Sequence, residues 1–138
     1  MVVRVPVELK SNSIILRTAA LANSGYEAEE PEVHIPIALA KKLGFKLEGI
    51  RGERYGVVGA EVTAYILGEV MLRAKTEDRE SSWIEARAVT VPGEHEVILS
   101  DSLIEKMEIE ILKPSSGLWR FSGENKVRES EKASYWPD

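Results

Sequence analysis

The chain has 138 residues, enough for one domain with a sizeable core. Hydrophobic residues make up 43% and charged residues 30%, as in soluble globular proteins. A formal net charge of −5 leaves no general basic face, so nucleic acid and anionic membrane surfaces are not expected partners. Cysteine is absent, which excludes disulfides, thiolate catalysis and cysteine-ligated metal. No apolar run approaches a membrane span, and Met1–Pro6 lacks the charged-then-apolar pattern of a secretory signal. The expected location is the cytoplasm.

Residues 2–10 alternate, with Val3, Val5, Val7 and Leu9 on one side and Arg4, Pro6, Glu8 and Lys10 on the other. A period of two predicts a half-buried strand. Pro6 cannot donate to a ladder, so it suggests an edge or a non-bonded position. Ser11-Asn12-Ser13 is a turn by composition, and residues 14–22 form the second strand of an opening hairpin. That strand ends in Ala19-Ala20-Leu21-Ala22, whose small side chains let other backbone come close, and runs into Asn23-Ser24-Gly25. An acidic loop follows, with Glu27, Glu29, Glu30 and Glu32, read mainly as a solvated patch. Glu32–Ile35 is short and extended. Pro36 suits the first position of a helix through Leu43, and Gly44 suits its stop.

Gly49, Gly52, Gly56 and Gly59 stand among Arg51, Glu53, Arg54 and Tyr55, which predicts a mobile hairpin or loop. Residues 61–75 are rich in β-branched and aromatic side chains, and Gly68 marks a bend or bulge. Thr76–Ser82 is a charged turn, Trp83–Val91 a strand and Pro92–His95 a turn. Glu96–Leu99 is a short buried strand. Asp101 or Ser102 is placed to cap a helix through Met107. Ile109–Leu112 and Leu118–Phe121 are the last two strands. Residues 122–138 have the composition of a flexible tail, with Tyr135-Trp136-Pro137 available to dock on the body. Many short strands with two short helices predict a mostly-β fold with a closed, barrel-like core. The expected organisation is a domain over 1–121 and a polar C-terminal extension over 122–138.

Two motifs resemble the retropepsin-like (retroviral-type) aspartic peptidase superfamily, in the manner of its small microbial single-lobe members. The first is Ala20-Leu21-Ala22-Asn23-Ser24-Gly25, followed by Pro36-Ile37-Ala38-Leu39-Ala40-Lys41-Lys42-Leu43-Gly44. The second is Val97-Ile98-Leu99-Ser100-Asp101-Ser102-Leu103-Ile104-Glu105-Lys106-Met107, which is similar to the family's hydrophobic-hydrophobic-glycine strand running into its C-terminal helix, followed by the strand at Glu108–Leu112. The glycine-rich segment 49–60 lies where the family has its flap. The resemblance covers roughly residues 3–121 and implies a closed β-barrel lobe, completed as a site by a second copy across a two-fold axis. Asn23 stands where the family has its catalytic aspartate, and Ser100 where the second motif has glycine. The amides are few here, since glutamine is absent and asparagine occurs only at Asn12, Asn23 and Asn125. With many Glu, Lys and Arg, that fits a thermophile's bias, in which asparagine at such a turn is less readily drift.

By that resemblance, Asn23, Ser24 and Gly25 hold the catalytic-turn positions, with the Ser24 hydroxyl bracing the turn. Gly49, Arg51, Gly52, Arg54, Tyr55 and Gly56 are the ligand-binding candidates. An aspartic dyad works because two close carboxylates cannot both ionise, leaving one acid and one base. A carboxamide takes up no proton near neutrality. The expected protein is therefore an aspartic-peptidase-like homodimer without proteolytic activity that binds peptide or protein in its cleft. The alternatives are an inactive form of an aspartic endopeptidase, and an assembly or scaffolding subunit using the tail. No cofactor or metal is expected: His34 and His95 are far apart with no cysteine nearby. His34 reads as a strand residue with a satisfied ring, and His95 as a turn residue. Trp83, Trp119, Tyr65 and Phe121 read as core or dimer interface.

Overall fold

The computed structural model describes residues 2–22, 25–49, 51–57 and 60–138, with backbone alone for residues 51, 53–57 and 60–62. β1 (Val3–Ser11) and β2 (Ile14–Ala22) form the opening hairpin, in unbroken register from Val3 opposite Ala22 to Ser11 opposite Ile14. Asn12 turns the chain at φ +54°, a left-handed conformation that asparagine tolerates better than most side chains. Val5, Val7 and Leu9 are fully buried, so the period of two in the sequence is the inward face of the strand.

The remaining barrel strands are β3 (Glu32–His34), β5 (Ala60–Ala74), β6 (Ile84–Thr90) and β7 (Val97–Leu99). They assemble in the order β1-β2-β7-β3-β6-β5, and β5 returns to pair with β1, closing a ring of six strands. Closure corrects one expectation: Pro6 does not lie on a sheet edge. It sits opposite Ala19 of β2, whose N–H donates outward to Ser134 Oγ at 3.1 Å, while the Pro6 carbonyl accepts from Lys75 N. The missing donor of Pro6 therefore interrupts no bond to β2, in keeping with the non-bonded alternative. β5 carries a register shift between Ile66 and Gly68, and Gly68 has φ +135°, so the expected bulge is present. β4 (Arg51–Val57) pairs antiparallel with β5, making the glycine-rich segment a hairpin on the outside of the ring.

α1 (Ile37–Lys42) buries Leu39 and Ala40. Pro36 is its N-cap rather than its first helical residue. Its end is a Schellman motif: Phe45 N donates to Ala40 O and Gly44 N to Lys41 O, both at 3.0 Å, with Gly44 at φ +90°. α2 (Asp101–Lys106) buries Leu103 and Ile104. The core joins both helices to the barrel through Val33, Ile35, Leu39, Leu43, Leu99, Leu103 and Met107.

A second sheet of three strands follows: β8 (Ile109–Lys113), β9 (Leu118–Phe121) and β10 (Arg128–Glu129), in the order β10-β9-β8. β10 lies beyond the strands legible in the sequence, because two residues carry no period. Trp119 and Phe121 are buried, with rings edge to face at 5.1 Å, and form part of the core as expected. Trp83 and Tyr65 are only half-buried; Trp83 lies under the Arg73 guanidinium at 4.3 Å.

The C-terminal segment is held along its length. Arg128 is buried, bonds Asp78 and Glu124 through two nitrogens each, and faces the Phe121 ring at 5.2 Å. Glu131 N donates to Arg4 O, and Ser130 Oγ accepts from Arg4 N. Trp136 donates its ring N–H to Thr18 Oγ1 at 2.9 Å and its backbone N–H to His95 O. The bonds at Arg4 satisfy strand-edge groups of β1 that no barrel strand reaches.

Two substitutions test the backbone reading of the helix ends. Gly44→Ala should cost about 1 kcal/mol, because its new Cβ meets only ordinary contact at 3.9 Å and the left-handed φ alone is penalised. Glu108→Gly, at φ +58° after α2, should stabilise by up to about 1 kcal/mol. Urea denaturation of both variants checks the opposite signs.

Arg128 gives a pH-dependent test. Its bonds hold the Glu124 carboxyl down at about 2 and Asp78 well below the usual carboxylate range. Depressed folded values contribute stability above the ordinary carboxylate range that is lost as the pH falls through the folded values. Arg128→Gln should therefore be less stable than the parent near neutrality. The gap should narrow as the pH is lowered toward about 2, read by chemical denaturation across pH.

Candidate functional site

The two sequence motifs meet. β2 and β7 run parallel, with Ala20 opposite Val97, Leu21 opposite Ile98 and Ala22 opposite Leu99. Both strands thus stop at the same level, β2 at Ala22 and β7 at Leu99, just before α2. Ala20, Ala22, Val97 and Leu99 are buried on the inner face of the pair, and Leu21 and Ile98 on the other face are half-buried. Ala20 and Ala22 share the buried core with Leu99 and Leu103.

β3 lies on the other side of β7, antiparallel, with Val33 opposite Leu99 and His34 opposite Ile98. Ser100 locks the junction. It is fully buried, its N–H donates to Glu32 O at 3.1 Å, and its Oγ accepts from Glu32 N at 3.0 Å and from Leu103 N at 3.4 Å. Ser100 is therefore the N-cap of α2, which corrects the expectation that Asp101 or Ser102 holds that role. The hydroxyl can serve two N–H groups because its two lone pairs are both available. Asp101 is the first residue of α2 instead. Its N–H donates to Tyr26 O at 2.8 Å, and burial, with Glu27 nearby, raises its carboxyl above the usual range.

Tyr26 leaves the turn and is fixed at both ends. Its hydroxyl donates to Glu32 Oε2 at 2.6 Å while its carbonyl receives Asp101 N–H. Glu32 is buried and faces Arg87 Nε at 3.6 Å. This corrects the reading of the acidic cluster as wholly solvated: Glu27, Glu29 and Glu30 are exposed, but Glu32 is a structural carboxylate paired within the fold. Nothing in the spacing of the glutamates distinguished the fourth from the other three. Its strand position, one residue before the buried Val33, was the available signal.

Asn23 and Ser24 lie outside the described residues. Gly25 is an exposed turn residue. Of the ligand-binding candidates, Gly49 has φ +71° with open space about its Cα, and Gly52 packs against Tyr65 and Thr63 so closely that a Cβ would stand 3.1 Å from the Tyr65 ring. Arg51, Arg54, Tyr55 and Gly56 are placed by their backbone on β4, opposite Ile66, Thr63, Val62 and Glu61. The structure brings the two motifs together at β2 and β7 and attaches the hairpin to the ring through β5.

His34 is buried, and its Nδ1 shares a 2.8 Å hydrogen bond with the Glu96 carbonyl. Facing a carbonyl, Nδ1 carries the proton of the neutral ring. Nε2 makes no bond of hydrogen-bonding geometry, so only half of the ring is satisfied, against expectation. Burial lowers its pKa, opposed by the Glu96 and Val91 carbonyls and the Glu94 charge. Among the described residues, no three His, Asp or Glu side chains cluster as a metal site.

No family model and no curated protein matches the chain. Among solved structures, the retroviral protease-like domain of Ddi1 from Leishmania major matches 96% of this chain and 97% of that one, with a TM-score of 0.53 and 12% identity. The closed six-strand barrel, its two short helices and that likeness decide the architecture. The fold is a retropepsin-like single lobe. In this retropepsin-like lobe the β2–β7 seam pairs the first residues of both motifs. Among the described residues, no helix is long and apolar enough to cross a membrane.

Ser100→Ala should cost about 1–2 kcal/mol, since it removes the cap and leaves the buried Glu32 N–H unpaired. Asp101→Asn should stay within about 0.5 kcal/mol. Urea denaturation separates the two assignments of the cap. For His34 the sign is fixed by a folded pKa below the ordinary 6.5. As pH falls below about 6.5 the unfolded chain takes up a proton that the folded ring resists, so stability declines. His34→Gln should flatten that decline between about pH 6.5 and the onset of carboxylate titration, as measured by denaturation midpoints.

Proposed function

We propose that the protein is a non-proteolytic, aspartic-peptidase-like homodimer that binds peptide or protein segments in the cleft between its two lobes. The observation that carries this reading is the β2–β7 seam, which delivers the chain into Asn23 where an aspartic site needs a carboxylate. One lobe supplies one such turn, and a second copy related by a two-fold axis supplies the other. Two neutral carboxamides offer donors and acceptors for a peptide carbonyl or N–H but no acid-base pair. The retropepsin-like fold of the lobe supports the geometry, and the asparagine supports the loss of chemistry.

The β4–β5 hairpin supplies the second wall. Its glycines leave main-chain groups open to an extended ligand, and pairing with a strand edge is a general mode of peptide recognition. Arg51, Arg54 and Tyr55 on that hairpin are the side chains assigned to hold the ligand. The assembly-subunit alternative draws less support, because Trp136 and Arg128 of the tail are engaged by their own chain.

The test is restoration of the carboxylate. The parent protein should cleave no peptide at any pH. Asn23→Asp should cleave a peptide library at acidic pH, blocked by a transition-state peptide mimic, if the alternative of an inactivated endopeptidase holds. An Asn23→Asp protein that binds the mimic by calorimetry without turnover supports the binding function. A protein in which neither form binds the mimic contradicts both.

A further inference from the structure

We propose that the space between β2, α1 and the turn at 92–95 is a recognition pocket for a tryptophan-bearing peptide segment, with the chain's own residues 132–138 as its resident, exchangeable occupant. This is a second site, apart from the cleft between lobes, and it stands without the homodimer. The pocket exists because β7 is short and pairs only with Ala20–Ala22 of β2. Upstream of Ala20, that side of β2 has no strand beside it among the described residues. Ser134 Oγ accepts from Ala19 N there, at 3.1 Å. Trp136 enters the gap next to it. Thr18 lies opposite the fully buried Val7, so its side chain is on the inner face of the hairpin, and it is only 5% exposed. Its hydroxyl accepts the Trp136 ring N–H at 2.9 Å. The His95 carbonyl accepts the Trp136 backbone N–H at 2.8 Å, and Lys42 Nζ, at the end of α1, stands 5.3 Å from the ring centroid. The ring itself packs on the core.

These contacts select tryptophan. Phenylalanine fills similar space but brings no N–H to Thr18, and an ammonium favours the face of an indole over other rings. A serine two residues earlier matches Ala19 N. The attachment of the tail is divided in a way that makes this occupant exchangeable. Residues 128–131 are fixed: Arg128 is buried between two carboxylates, Ser130 N donates to Gly117 O and Glu131 N to Arg4 O. Beyond them, Lys132, Tyr135, Pro137 and Asp138 are exposed. The crossing from Glu131 to Ser134 leaves an open cavity of about 440 Å³ against Pro6, Arg17, Thr18 and Ala19. Residues 132–138 thus depend on one aromatic anchor, and the entropy of ordering them opposes it. Simple release would strip partners from Thr18 Oγ1, Ala19 N and His95 O. Exchange for a Ser-x-Trp segment of a partner chain keeps all three satisfied and proceeds by mass action.

The experiment uses the full chain carrying Trp136→Ala, which empties the pocket, with thermal melts to show that it folds. The probe is a fluorescently labelled synthetic peptide of residues 130–138, read by anisotropy. The variant should bind it, and the parent should bind it at least about tenfold more weakly, because its own segment competes. A peptide carrying Trp136→Phe should bind the variant about tenfold more weakly than the tryptophan peptide, for the lost bond to Thr18. A folded variant that ignores the peptide, that binds both peptides alike, or that binds no better than the parent overturns the proposal. A second measurement needs no variant. In the parent, the Trp136 ring N–H should be less protected from hydrogen exchange than the amides of β1, since the segment opens without the barrel. Protection equal to that of β1 makes the segment part of the barrel's own fold and overturns the proposal.

Discussion

The parallel pairing of β2 with β7 is the constraint on which the rest depends. Parallel neighbours cannot be joined by a tight turn, so the chain must travel through β3, α1, the β4–β5 hairpin and β6 before β7 can take its place. That journey closes the barrel. It also brings together two chain ends from distant sequence, the exit of β2 and the entry of α2. Ser100 then ties α2 to β3 with two hydrogen bonds to Glu32 and caps the helix with a third from Leu103 N, and Asp101 ties it to Tyr26. Where the second motif of the resembling family carries glycine, this lobe carries a buried hydroxyl that holds the junction instead.

The strands were legible where a physical period wrote them. Val3, Val5, Val7 and Leu9 announced β1, and Gly44 announced the end of α1 because its φ admits few other residues. The bulge at Gly68 was equally open to reading. What stayed hidden was set by tertiary contact. Pro6 looked like an edge because barrel closure by β5 is not a local property. Asp101 and Ser102 looked like caps because Asp and Ser are equally good capping types in isolation, and only burial beside Glu32 N gives Ser100 the role. Glu32 itself looked like one of four solvated acids. At the candidate site, the two motifs were readable through the family resemblance, but their pairing across β2 and β7 was not, because it is a tertiary contact between distant segments. Nor was the pinning of Tyr26, since it depends on one carboxylate folded inward.

The C-terminal segment shows how a polar stretch becomes structural. Its composition has too few apolar residues to fold alone. It is held because the barrel leaves strand-edge groups at Arg4 and Ala19 without strand partners, which Ser130, Glu131 and Ser134 satisfy, and because Trp136 bonds the Thr18 hydroxyl. Arg128 adds a buried cation with two carboxylates and two aromatic rings around it. The segment thus runs along the β1–β2 side of the barrel, at Arg4, Thr18 and Ala19.

The central claim is that this lobe is half of a two-fold site. With no native cysteine, single spin labels can be placed without background. The most direct measurement is the dipolar distance between labels on Ala28→Cys, beside the turn, compared with labels on Ser13→Cys at the far tip of the β1–β2 hairpin. The account expects a single short distance at position 28 and a clearly longer one at position 13. Absence of dipolar coupling at position 28, or the reverse order of the two distances, would contradict it.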